Sequence, residues 1–203
     1  MNATGQYAEA LEFASRALEI AARERDLYGE VLTRITMGRN LLMLHRNDQA
    51  VECLSIAREI VERNGYDTSR AHLTGTLATA LARTGRAHQA VGLVEAIMES
   101  GMHLRTGQME VCYLHAGYAE ALVRDGDPQR GLSALERALS IAKTIRNPWL
   151  TVECLGLRAR LLAETKPDAT RVAQDLAEMR AICDQYGVVA WDASRLVEGL
   201  YVS

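Results

Sequence analysis

Turn-like positions recur along this chain at residues 5, 45, 85, 126 and 167, a period of 40 to 41 residues. Gly5, His45, Gly85, Gly126 and Pro167 occupy them. Shortly after each turn a similar segment begins: Glu9-Ala10-Leu11, Gln49-Ala50-Val51, Gln89-Ala90-Val91, Arg130-Gly131-Leu132 and Arg171-Val172-Ala173. Self-similarity at a fixed period means that each copy is one small unit. Such a unit buries its apolar face only by stacking on its neighbours.

Periodicity within the copies says what the unit is. After Gly85 the apolar residues are Ala90, Val91, Val94, Ile97 and Met98; after Gly126 they are Leu132, Leu135, Ala138, Leu139 and Ala142. Spacing by three and four is that of an amphipathic helix, not a strand. The segment before each turn repeats as well. A small residue stands seven positions upstream (Gly38, Ala78, Ala119) and a leucine four upstream (Leu41, Leu81, Leu122). The small residue predicts a close approach of two helix backbones. The fifth copy departs from this, with Arg160 and Ala163 in those slots. Asp127-Pro128 and Asn147-Pro148 each set a capping side chain before a proline suited to the first helical position. Asp67-Thr68 is expected to cap the helix running to Thr84, and Gly65 and Gly101 to end helices in the left-handed conformation.

The reading is all-α: ten helices near 6–25, 28–44, 47–64, 68–84, 87–100, 107–125, 128–146, 148–164, 168–186 and 189–201. They form an α-solenoid of about five antiparallel helix pairs, closed at the C-terminal end by the last helix. Residues 1–203 form a single helical repeat domain without an internal boundary. The chain opens at a turn, Thr4-Gly5-Gln6, and enters the second helix of a pair, whose flank the missing first helix would cover. The expectation is that the sequence is the C-terminal part of a larger protein, or that a second copy covers this flank in a homodimer.

Composition and motifs exclude much. The formal charge is −3, and no basic helix carries interleaved aromatics. Direct nucleic-acid binding by this segment and attraction to an anionic membrane are therefore not expected. No apolar run approaches the length of a membrane span. Cys53, Cys112, Cys154 and Cys183 are widely separated, with no CxxC spacing. They read as buried thiols of a reducing, cytoplasmic compartment, without disulfide or metal. GxGxxG, HExxH, GxSxG and phosphate-cradling glycine loops are missing, and the five histidines are dispersed. No cofactor is implied, and the chain is not expected to be an enzyme. Arg23, Arg25, Arg158 and Arg160 read as solvated faces or interhelix pairs.

The arrangement Ala78…Gly85…Ala90, with a small residue in the first helix and Gly-x-x-x-x-Ala across the turn, resembles the tetratricopeptide repeat. Gly38…Ala50 and Ala119…Gly126 share it. Tyr7, two after Gly5, matches the aromatic often found there, whereas Asn47, Ala87 and Pro128 do not. The usual period is about 34 residues, so the copies here have longer helices. That long form resembles the repeat regions of bacterial signalling proteins, such as maltose-regulator-type transcriptional activators and peptide-sensing regulators. The resemblance implies a non-catalytic protein-interaction or ligand-sensing module that holds a protein or peptide partner on its concave face. It also implies inward positions six, ten and thirteen residues before each turn. These are Arg39, Ile35 and Leu32, then Thr79, Gly75 and His72, then Glu120, Ala116 and Tyr113, with Arg83 and Arg124 at the rim. The Lys/Asn/Arg clamp of chaperone-binding repeats is not present. The alternative is a freestanding adaptor that self-associates through its uncovered N-terminal end.

Overall fold

The computed structural model describes residues 3–165 and 168–187. Among these it contains nine α-helices, a short 3-10 turn at Met102–Arg105, and no strand. The helices are α1 (Ala3–Glu24), α2 (Leu27–Met43), α3 (Asn47–Asn64), α4 (Asp67–Arg83), α5 (Ala87–Glu99), α6 (Gln108–Arg124), α7 (Pro128–Thr144), α8 (Pro148–Thr165) and α9 (Ala169–Tyr186). The expected closing helix at 189–201 and the turn at Pro167 lie outside the described residues.

Turn chemistry explains the joints. Gly85 and Gly126 have φ of 79° and 95°, and His45 fills the equivalent turn at φ 57°. All three are left-handed, which a glycine adopts at no steric cost and a histidine does not. Gly65 and Gly101, also left-handed, follow the ends of α3 and α5 as expected, and Gly101 leads into the 3-10 turn. Asp127 accepts the Arg130 amide at 3.1 Å, with Pro128 opening α7, and Asn147 accepts the Leu150 amide at 3.1 Å before Pro148. Two local expectations fail. Asp67 is the first residue of α4, preceded by Tyr66, and its side chain caps nothing. Thr4, Gly5 and Gln6 lie inside α1 rather than in a turn. The first turn of a helix tolerates Thr and Gly because its amides lack intrahelical partners in any case. The repeat register, extended one copy toward the N-terminus, mistook that tolerance for a break.

Each helix packs on the next in sequence, and α2, α4, α6 and α8 also pack on one another in a row. The second helices α3, α5 and α7 show no comparable mutual packing. A row that packs tightly on one side and splays on the other curves, so the first helices form the concave layer. The tightest approach is between α4 and α6. A Cβ added at Gly75 would overlap the Tyr113 carbonyl and lie 2.7 Å from the Leu114 Cα; one added at Gly117 would overlap the Gly75 carbonyl. The small-residue slots serve, as expected, the close contact between the two helices of a pair. Gly38 receives Leu54 of α3, and Ala119 lies under Gly131 of α7. Between the layers the core is aliphatic: Leu54, Leu114, Leu135, Leu155 and the small Ala50, Ala57, Ala90 and Ala138 are fully buried. The outer flank of α1 leaves Phe13 and Ile20 exposed. No helix among the described residues is long and apolar enough to cross a membrane.

Arg158 and Arg160 are not solvated. The Arg158 side chain, 9 % exposed, makes a fork to Asp175 of α9 at 2.5 and 2.9 Å and reaches Glu136 of α7 at 2.8 Å. Arg160 pairs with Glu120 of α6 at 3.0 Å. Two residues apart, they leave α8 on different sides, Arg158 toward α7 and α9 and Arg160 toward α6, and partial desolvation favours a carboxylate partner for each.

Candidate functional site

Concavity brings the inner faces of four helices around one cavity of about 420 Å3. Helix α2 supplies Thr36, Arg39 and Asn40; α4 supplies Thr76, Thr79 and Arg83; α6 supplies Tyr113 and Glu120; α8 supplies Trp149, Glu153 and Arg160. Tyr7 of α1 and the apolar Leu42, Met43, Ala116, Leu150, Leu157 and Met179 complete much of the wall. Gly75 and Gly117 form part of its floor. The glycines that let α4 and α6 touch therefore also leave room above them.

Two ionic centres organise the polar wall. At the first, Glu120 is 1 % exposed and gathers three guanidinium groups. Arg83 donates from Nε and Nη2 at 2.8 and 3.1 Å, Arg124 from Nε at 3.3 Å, and Arg160 lies at 3.0 Å. Burial alone would push this carboxyl upward. The three positive charges, Arg83 foremost, outweigh it and hold the group at about 2. Arg83 also donates to the Leu42 carbonyl at 3.3 Å, which ties α4 to α2. Arg124 and Arg160 are shared with Glu164 of α8 at 3.8 and 3.4 Å.

At the second centre, Arg39 of α2 reaches Glu153 of α8 at 2.6 Å, across 114 residues of sequence. Trp149 donates its indole N–H to the same carboxylate oxygen at 2.9 Å. The Arg39 guanidinium lies 4.4 Å from the Tyr113 ring centre, and Tyr113 stacks on His72 at 4.2 Å and 10°. Burial works against the Arg39 charge, but the Glu153 carboxylate outweighs it and raises its pKa further. Burial, reinforced by Arg39, drops His72 to about 3, so its imidazole is neutral at physiological pH. The His72 Nε2 is buried without a hydrogen-bond partner. Burial and the nearby Glu153 push the Tyr113 hydroxyl upward. The arrangement sets paired charges, the Arg39–Glu153 pair partly exposed, among apolar side chains and suits binding of a polar ligand. Among the described residues no group of three or more His, Cys, Asp or Glu is placed to hold a metal ion.

Arg39, Thr79, Arg83, Tyr113 and Glu120, with Gly75 and Ala116, stand on the cavity wall. His72 does not; it backs Tyr113. Arg124 lies outside the lining, beside Glu120. Ile35 is core and Leu32 is exposed away from the cavity. The contributions of α8 were not foreseen. Counting ten and thirteen residues back from Pro167 returns Leu157 and Cys154, both on the wall. No such count returns Glu153, Trp149 or Arg160, whose partners are set by curvature. Curvature also brings two of the dispersed cysteines together: the Cys112 and Cys154 sulfurs are buried 3.8 Å apart.

No protein-family model matches the chain, and no curated protein does. Among solved structures it is similar to PlcR of Bacillus thuringiensis, determined in complex with the peptide PapR7 and DNA. The likeness has a TM-score of 0.68 at 14 % identity and covers 98 % of this chain and 70 % of that one. At this identity it is a likeness of fold, and it supports a helical-repeat architecture.

Proposed function

We propose that this chain is the non-catalytic sensing module of a bacterial regulator and that it holds a short peptide in the concave cavity. The observation that carries the reading is the wall itself. Four successive first helices converge on one cavity, with hydroxyl, amide, guanidinium and carboxylate groups set among aliphatic side chains. An extended peptide offers backbone groups for the polar residues and side chains for the apolar ones. The fold likeness to a regulator solved with a peptide supports it. In this reading the chain is part of a longer protein, and the partner is a peptide rather than nucleic acid. The alternative adaptor reading draws on the exposed Phe13 and Ile20 of α1.

Affinity selection from a pooled library of random synthetic peptides of about five to eight residues, long enough to span a groove of this size, tests the reading. Ala116→Trp fills the cavity from its wall and serves as the comparison, with circular dichroism to show that helicity is kept. Retention by the wild type and loss in Ala116→Trp is expected. Equal retention by both proteins, or by neither, refutes binding in the cavity.

A further inference from the structure

We infer that the cavity recognises the free C-terminal carboxylate of its peptide, and that this carboxylate takes Arg39 from Glu153 and so opens the bridge between α2 and α8. The inference rests on the peptide-binding reading above and specifies its chemistry.

Charge sets the sign. The wall carries three guanidinium groups, on Arg39, Arg83 and Arg160, against two carboxylates, on Glu120 and Glu153. Among the described lining residues that is one more guanidinium than carboxylate, although Arg160 is also shared with Glu164. Water is partly excluded there and electrostatic attraction is strengthened. Arg83 is fully engaged: Nε and Nη2 go to Glu120 and Nη1 to the Leu42 carbonyl. Arg39 differs. It gives Nη2 to Glu153, and its Nε and Nη1 hydrogen-bond no other described residue. Its side chain is 31 % exposed. A guanidinium binds a carboxylate best through two parallel N–H donors, and the single contact to Glu153 leaves that capacity unused. The guanidinium carbon lies 4.4 Å from the Tyr113 ring centre, and both side chains line the cavity.

Glu153 is built to be displaced. The oxygen that accepts from Arg39 also accepts from Trp149 Nε1. When Arg39 turns to a ligand, the carboxylate keeps a hydrogen bond and stays partly hydrated, so it is not stranded. The consequence is mechanical. In the concave layer α2 and α8 stand at opposite ends, with α4 and α6 between them. A bridge joining the ends holds the curvature, and its exchange for a ligand contact converts occupancy into a change of shape.

The test uses the full chain and two pools of random synthetic hexapeptides. Both pools omit Asp and Glu, so that the terminus is the sole carboxylate, and one pool is C-terminally amidated. The free-acid pool should be retained about tenfold or more over the amidated pool, as a charge-assisted bidentate contact implies. Glu153→Gln removes the competitor and should raise retention of the free-acid pool severalfold without changing the amidated one. Arg39→Gln should abolish the preference. Trp149 fluorescence, read in a Trp191→Phe background, reports the release of Glu153 and should shift with the free-acid pool. Equal retention of the two pools overturns the inference and leaves the peptide reading intact. Selective retention with unchanged Trp149 emission overturns the opening of the bridge. If a library of full composition is also not retained, the peptide reading itself falls.

Discussion

Glu120→Gln isolates the ionic centre under the cavity. The substitution keeps size and a hydrogen-bonding carbonyl but removes the charge that three guanidinium groups share. Glu120 is held at about 2 against an ordinary 4.5. At about 1.4 kcal/mol for each pH unit of displacement, the ionised carboxylate contributes about 3 kcal/mol to folding at neutral pH. Removing one partner of a buried pair typically costs about 3–5 kcal/mol. The side chains of Arg83, Arg124 and Arg160 retain 17 %, 33 % and 18 % exposure, so water relieves part of the loss and the lower end applies. For a chain of this size the expected fall in Tm is about 6–12 °C. Urea unfolding followed by circular dichroism at pH 7 measures the difference directly. The sign of the pH dependence is fixed. Because the folded-state pKa is depressed, the stabilisation is complete above about pH 4.5 and disappears as pH falls through about 2. The gap between wild type and Glu120→Gln should close over that window. His72 and His115, held by burial at about 3 and about 4, cost stability below pH 6.5 in both proteins, so the difference still reports Glu120. A loss under about 0.5 kcal/mol at pH 7, the scale of an ordinary surface change, refutes the reasoning. So does a gap that does not change between pH 7 and pH 2.

Two further substitutions and one labelling experiment probe the packing. Gly75→Ala should cost about 3 kcal/mol or more, because its Cβ would meet the backbone of Tyr113 and Leu114, which cannot yield. Gly38→Ala should cost less, about 1–2 kcal/mol, because it meets the side chain of the buried Leu54 rather than backbone, and a side chain can repack. If urea midpoints place Gly75→Ala no lower than Gly38→Ala, the α4–α6 contact does not set the curvature. Cys112 and Cys154 should react with iodoacetamide only after unfolding: the hydrogen bond that Cys154 shares with Cys112 and its burial push its thiol far upward. Mass spectrometry of native protein showing rapid alkylation at either position contradicts that.

The helices were legible because their signal is local. Apolar residues at three and four, left-handed glycines at 85 and 126, and Asp127-Pro128 each act within a few residues of themselves. The same locality explains the errors. Asp67 looks like a cap until Tyr66 is seen to hold that position, and Gly5 looks like a turn until α1 is seen to run through it. Part of the cavity wall was reachable by counting, since Arg39, Thr79 and Glu120 occupy equivalent places in successive copies.

By itself, then, the sequence determined an all-helical array of stacked pairs, its joints and its aliphatic core. Each of these follows from interactions between residues near in the chain or one period apart. The tertiary structure alone decided how sharply the array curves, and with it which distant side chains meet. Gly75 and Gly117 touch through their backbones, Arg39 reaches Glu153 across 114 residues, and Arg160 joins Arg83 and Arg124 on Glu120. A small rotation between neighbouring pairs adds up over four of them. The partner of a side chain at one end is therefore set by that sum, which no single copy of the repeat encodes.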